Sequence, residues 1–179
     1  PETVQVLVDV DLRPRGRDEL CAEMTRVGRR HREVADSIRA IRGVRRREFF
    51  RLVVDVVLGV APVETVARGL SDLTNATIEA SLQAVRAGVD DAPRIGVIAL
   101  GRWGGCEMAL SSDADLMFVV EDAGPQATRK AMEIVTTLRK LLGAPGPGPG
   151  LDLDADLRPE GRSGPLVRSL SSCLTYYSR

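Results

Sequence analysis

The chain has 179 residues, 25 Lys and Arg against 25 Asp and Glu, and a formal net charge of zero. That length is enough for a real core in one domain or two small ones. The balanced charge argues against a dedicated nucleic-acid binder, whose affinity comes largely from clustered positive charge. Three isolated cysteines, Cys21, Cys106 and Cys173, suit free thiols in a reducing cytoplasm better than a disulfide framework or a zinc site. No signal peptide or long apolar span stands out, so no membrane partner is expected.

In chain order, Val4, Val6, Val8 and Val10 alternate with other residues and predict a strand. A helical stretch follows, in which the single histidine, His31, sits among Arg29, Arg30 and Arg32 and reads as a solvated helix face. Val34, Ile38 and Ile41 share one helical face, and Phe50, Val53, Val54 and Val57 repeat at i, i+3, i+4 and i+7. Gly59 and Pro62 break that pattern. Val63, Val66, Leu70 and Leu73, then Ile78, Leu82 and Val85, predict further helix, and all these stripes are expected to be core. Asp90, Asp91 and Pro93 mark a boundary. The expected division is therefore a mainly helical segment over 1–92, with a short N-terminal strand, and an α/β part over 93–179.

The second part opens with an apolar run, Ile95 to Leu100, then Gly101-Arg102-Trp103-Gly104-Gly105, then Ser111-Ser112-Asp113-Ala114-Asp115 leading into Leu116 to Val120. Ala131, Ile134, Val135, Leu138, Leu141 and Leu142 predict a helix covering the sheet, and Gly143 to Gly150, almost all Gly and Pro, predicts a mobile connecting loop. Leu151 to Leu157 alternates and predicts a strand carrying Asp152, Asp154 and Asp156 on one face.

Side chains alternate along a strand, so Asp113 and Asp115 at i and i+2 share a face and can share a cation that prefers oxygen ligands, such as Mg²⁺ carrying a nucleoside triphosphate. Gly104 and Gly105 lack a Cβ, which lets backbone N–H groups approach phosphate oxygens, and Ser111 and Ser112 add hydroxyls. If the third strand pairs beside the second, Asp154 completes a three-carboxylate centre. Such a centre serves in-line displacement at phosphorus. The competing reading makes Asp113 a turn cap and the Asp152 to Asp156 face merely solvated. No G-x-x-x-x-G-K-[ST] or G-x-G-x-x-G is present, so P-loop and Rossmann readings lack their mechanics.

The stretch GVIALGRWGGCEMALSSDADLMFVVED, followed by LDLDADLRPEGRSGPLVRSL and Tyr176-Tyr177, resembles the glutamine synthetase adenylyltransferase family. The likeness is clear from Arg94 to Arg179 and looser from Val44 to Arg86. It implies an α+β nucleotidyltransferase fold, with a DNA polymerase β-like mixed sheet and helices preceded by a helical segment. It also implies a catalytic domain over 93–179. Family members carry two tandem halves, one attaching AMP to a tyrosine of glutamine synthetase and one removing it by phosphorolysis. Carried over by position, Gly104, Gly105 and Ser112 face phosphate, Asp113 and Asp115 bind metal, and Asp154 is the third catalytic carboxylate. Arg158 and Arg162 either hold the nucleotide or order their loop, and for both the bland reading is a salt bridge to Asp152, Asp156 or Glu160. The implied cofactor is Mg²⁺, the implied substrate ATP, and the implied partners glutamine synthetase and a nitrogen-signalling regulatory protein.

The motifs look more like the C-terminal, adenylylating half. The rivals are phosphorolytic removal of AMP and a non-catalytic docking module of the same fold. Two features depart from the pattern: Asp156 stands where many members have arginine, and seven residues separate Gly105 from Asp113, fewer than in the wider superfamily although in keeping with this narrower family. Trp103 reads as a packing residue. Val8 to Arg17 echoes Leu153 to Arg162 and reads as an inactive remnant of a preceding half or a chance similarity. The start at Pro1 and the stop after Tyr176-Tyr177-Ser178-Arg179 read as the ends of a fragment, C-terminally truncated within the catalytic domain.

Overall fold

Helices come first because the chain up to residue 90 carries apolar positions at helical spacing. The computed structural model describes residues 13–121 and 124–178; the expected strand over Val4 to Val10, and the first half of the echo, lie outside them. Helix α1 spans Arg17–Gly28, α2 Val34–Leu58 and α3 Val63–Arg86. Gly59 ends α2 in a left-handed conformation, φ 62°, and its amide bonds back to the last turn, as a glycine cap does. Buried Val66, Leu70, Leu73, Ile78, Leu82 and Val85 on α3 face α1 and α2, as their spacing requires. No described helix is long and apolar enough to cross a membrane.

In the second half of α2 the spacing misleads. Val57 is 76 % exposed, while the buried face carries Val44, Arg45, Glu48, Leu52 and Asp55. Charges win these positions because they have partners. Arg15 reaches Glu48 at 3.0 Å and Glu23 at 2.7 Å, and Asp55 accepts the Ala61 amide at 2.7 Å. Glu48, with a guanidinium donor, avoids the penalty of an unpaired charge, whereas Asp55 keeps its second oxygen, Oδ2, buried without a hydrogen-bond partner. His31 lies exposed in the turn between α1 and α2 rather than on a helix face.

The α/β part contributes β1 (Ile95–Ala99), the single-turn α4 (Gly101–Gly104), β2 (Ala114–Val120), α5 (Gly124–Gly143), β3 (Leu153–Asp154), β4 (Val167–Ser169) and α6 (Leu170–Tyr177). β1 pairs antiparallel with one edge of β2, and β3 and β4 pair parallel with it. β3 meets the first two residues of β2 and β4 the last three, so the chain leaves the sheet between them and returns. Leu116, Phe118 and Val120 are at most 2 % exposed. They share one face of β2 with the core that also holds Ile134 and Leu138 of α5, and Asp115, Met117 and Val119 alternate onto the opposite face.

The Gly/Pro connection expected to be a loose loop is tied to α2. Arg42 donates to the carbonyls of Leu141 (3.3 Å) and Ala144 (2.6 Å), and Arg45 donates to that of Pro149 (3.1 Å). Proline and glycine leave carbonyls unpaired, and the α2 guanidiniums take them up.

Candidate active site

The site begins where β1 ends. The Leu100 amide donates to the Asp115 carbonyl at 2.9 Å, and Gly101 then turns the chain with φ 53° into α4. A Cβ on Gly101 would stand 2.5 Å from Asp115 Oδ2, so the carboxylate lies against a residue that must have no side chain. Trp103, 4 % exposed, donates its indole N–H to Asn75 Oδ1 of α3 at 3.0 Å and anchors the turn to the helical layer. It is a packing residue, as its sequence context suggests. A Cβ on Gly104 would come within 2.7 Å of the Ala99 carbonyl, which lets α4 fold back on the end of β1.

The amides of Gly104 and Gly105 donate to the carbonyls of Leu100 (2.8 Å) and Gly101 (3.1 Å). In this conformation the glycine pair therefore contributes shape at the strand end while its N–H groups serve the turn. Ser112 Oγ accepts the Ala109 amide at 2.9 Å and closes the turn that delivers Asp113 to β2. Asp113 and Ser111 are exposed, and Asp115 and Ser112 are half-buried.

Asp154 arrives from the far end of the chain. In the parallel pairing, Asp115 is the register partner of Asp154, and Ala114 that of Leu153. Residues opposite one another on neighbouring strands project from the same face. Asp154 Oδ1 accepts the Asp156 amide at 2.7 Å, which fixes the carboxylate's orientation. The third strand is shorter than the alternation predicts: it ends at Asp154, and Asp156 lies in the turn beyond it rather than on a strand face.

The segment after Asp154 is a loop clamped by its own arginine. Arg158 donates to the carbonyls of Ala155 (2.7 Å), Gly164 (3.1 Å) and Arg162 (3.1 Å), and its side chain is 12 % exposed. Glu160 and Gly161 have φ of 66° and 55°, and a Cβ on Gly164 would meet the Pro159 carbonyl at 2.2 Å. The donors of Arg158 are thus engaged within its own loop in this conformation. Arg162 is 87 % exposed, and its Nε reaches Asp156 Oδ2 at 2.5 Å, the salt bridge weighed from sequence. These arginines hold the Asp156 carboxyl below the usual carboxylate range, chiefly through the Arg162 hydrogen bond.

Three carboxylates at converging strand ends are an oxygen-only donor set, which suits a hard divalent cation. The Gly101 cradle and the strand register set Asp115 and Asp154 side by side. Among the described residues no three acidic, histidine or cysteine side chains are already drawn around one point, so the arrangement is an open pair with Asp113 two residues upstream. Gly101 and Asn75 were not singled out in the sequence. A glycine ending an apolar strand is the signal that points to the first, and nothing local marks the second.

A mixed sheet backed by helices, with carboxylates gathered on one strand end beside a glycine turn, defines an α+β protein of the nucleotidyltransferase type. The chain belongs to the glutamate-ammonia ligase adenylyltransferase (GlnE) family, whose family model matches residues 17–179. It is 55 % identical over 179 residues to the bifunctional glutamine synthetase adenylyltransferase/adenylyl-removing enzyme of Cutibacterium acnes, covering all of this chain and 18 % of that protein. It is 41 % identical to the protein of the same name from Streptomyces coelicolor, covering 20 % of it, and 43 % identical over 161 residues to that of Mycobacterium avium. The chain thus spans about a fifth of the length of these curated relatives.

Proposed function

We propose that this segment carries a catalytic centre for metal-dependent transfer of AMP from ATP to a tyrosine hydroxyl of glutamine synthetase. The observation that carries the reading is the register pairing of Asp115 with Asp154. Two carboxylates from segments far apart in sequence face one another with Asp113 at i−2, an arrangement that is costly unless a cation is shared.

Asp113 and Asp115 would hold Mg²⁺ with the triphosphate, and Asp154 would complete the ligand set for a second ion. Bound there, the ions supply charge neutralisation for the attacking and leaving oxygens of an in-line displacement. Asp154, oriented by the Asp156 amide, accepts or steers the tyrosine proton. Gly101 keeps the Asp115 carboxylate in place, and the turn at Gly104 and Gly105 leaves room for phosphate oxygens. Ser112 accepts a backbone amide, which leaves its hydroxyl proton free to donate to them. Attack of the tyrosine oxygen on the α-phosphorus forms the Tyr–O–P bond, breaks the α–β bond and releases pyrophosphate.

The same centre serves a second reading, favoured by the double name of the relatives. Inorganic phosphate would attack the tyrosyl-AMP phosphorus and release ADP and free tyrosine. The motifs look more like those of the adenylylating half, but the two halves share a fold and catalytic carboxylates, so the motifs themselves do not fix the direction. The reading divides the chain near residue 92 into a helical support and a catalytic domain, places the enzyme in the cytoplasm, and makes a nitrogen-signalling protein its regulator.

Intact-mass measurement of glutamine synthetase subunits after incubation with the enzyme and Mg-ATP tests this. A gain of one AMP per subunit that disappears with Asp115→Asn is expected. Near-normal transfer by a folded Asp115→Asn variant would overturn it.

A further inference from the structure

Arg162 is held in a way that its loop does not require. The backbone beneath it is fixed: its carbonyl accepts Arg158 Nη2 at 3.1 Å, Gly161 before it takes φ 55°, and Gly164 after it packs too close to the Pro159 carbonyl for any side chain. The side chain leaves this rigid base into solvent, 87 % exposed, and among the described residues only Asp156 holds it. Asp156 is itself anchored beside the catalytic carboxylates, because its amide donates to Asp154 Oδ1 at 2.7 Å. The field of Asp154 also reaches Arg162. An exposed ion pair of this kind is weak, whereas a guanidinium on a triphosphate makes charge-assisted, often bidentate, hydrogen bonds.

We propose that Asp156 is a positioning residue that parks the Arg162 guanidinium beside the carboxylates, and that the triphosphate of the incoming nucleotide displaces Asp156 and takes Arg162 as its own ligand. This rests on the nucleotide reading of the site. Asp156 does not become an unpaired charge when Arg162 leaves, because its other oxygen lies 3.4 Å from Arg158 Nη1. The exchange thus swaps one partner of Arg162 for another and leaves the clamped loop intact. Asp156 then acts on nucleotide affinity through Arg162, as a competitor that a neutral residue would not be.

The test is a double-mutant cycle on the full-length enzyme, with Asp156→Asn, Arg162→Ala and the pair. ATP affinity is measured by calorimetry with Mg²⁺ and again in EDTA, and thermal melts confirm that each variant is folded. Asp156→Asn is expected to tighten binding about threefold to fivefold, the range of a released surface ion pair. Arg162→Ala is expected to weaken it about tenfold, and the double variant to match Arg162→Ala alone. In turnover, Asp156→Asn lowers KM without raising kcat. Equal tightening by Asp156→Asn in both backgrounds would overturn the proposal, since Asp156 would then act only as a repelling charge; weaker binding would overturn it in favour of a structural role. If the wild type binds no Mg-ATP, the nucleotide reading fails as well; if it binds and the cycle is additive, only the exchange fails.

Discussion

Asp115 and Asp154 stand directly opposite one another on β2 and β3, although 38 residues lie between them in the chain. Like charges facing each other across a strand pair destabilise it by about 0.2–1 kcal/mol. Removing one charge therefore has opposite effects on fold and function. Asn keeps an oxygen for the Asp156 amide, so Asp154→Asn is expected to raise the thermal midpoint in EDTA by about 1–3 °C. It is also expected to lose any stabilisation that Mg²⁺ gives the wild type. Calorimetric melts with and without Mg²⁺ read both; a variant that melts lower in EDTA would show that the pair is not repulsive.

Gly101 and Gly105 differ in what a methyl group would meet. At Gly101 it would press on Asp115 Oδ2 in a left-handed backbone, φ 53°; at Gly105 the nearest atoms are 3.7 Å away. Gly101→Ala is expected to cost about 1–2 kcal/mol from backbone strain and to reduce transfer at least tenfold by displacing the carboxylate. Gly105→Ala should stay near wild type in stability. Urea unfolding alongside transfer assays checks the contrast, and equal effects at both positions would refute the cradle.

Arg158 and Arg162 separate on stability. Arg158→Ala removes the guanidinium donor from the carbonyls of Ala155, Arg162 and Gly164, of which Ala155 keeps the backbone amide of residue 158 at 3.2 Å. Its expected cost is about 2–3 kcal/mol, at the level of charge-assisted hydrogen bonds. Arg162→Ala, on an exposed pair, should change stability by less than about 1 kcal/mol. Chemical denaturation of the two variants decides it, and a reversed order would contradict the clamp.

Asp156 titrates below the usual carboxylate range because Arg162 donates to it. A depressed acid stabilises the fold above its unfolded value, about 3.9, and that contribution is lost as pH falls through the lower folded value. In Arg162→Ala the Asp156 carboxyl resonance should titrate at higher pH than in the wild type. An unmoved midpoint would assign the depression to Arg158 instead.

Burial, with the neighbouring charge of Arg42, pushes the Arg45 guanidinium down to about 10. The folded state then binds fewer protons than the unfolded chain above that pH, so stability should rise as pH climbs through it. At neutral pH the charged group is a burden that the Pro149 carbonyl and the Phe49 ring only partly offset. Arg45→Met is expected to raise the thermal midpoint by about 2–4 °C; a drop of that size would show that the guanidinium holds the Gly/Pro segment in place.

Much of this architecture is legible in the residues. Apolar spacing locates α3 and α5, Gly59 and Pro62 end one helix and start the next, and the apolar run into a glycine turn locates β1. These are short-range signals, set by backbone sterics and by which face a residue of given spacing must bury. The second half of α2 escapes them because its buried face is charged, and Glu48 is recognised as interior only once Arg15 stands against it.

The D-x-D pair and the L-R-P-x-G-R-x-G-P segment were visible as motifs, but their meaning depended on pairing. Whether Asp154 joins Asp115 is a question of strand register, which no local pattern contains because β3 is two residues long and 38 residues lie between the two carboxylates. Two arginines four apart look equivalent in sequence. Only the folded loop, which buries one among its own carbonyls and leaves the other in solvent, gives them different work. The residue types thus determined what chemistry this chain can host, and the tertiary structure decided which of those groups meet.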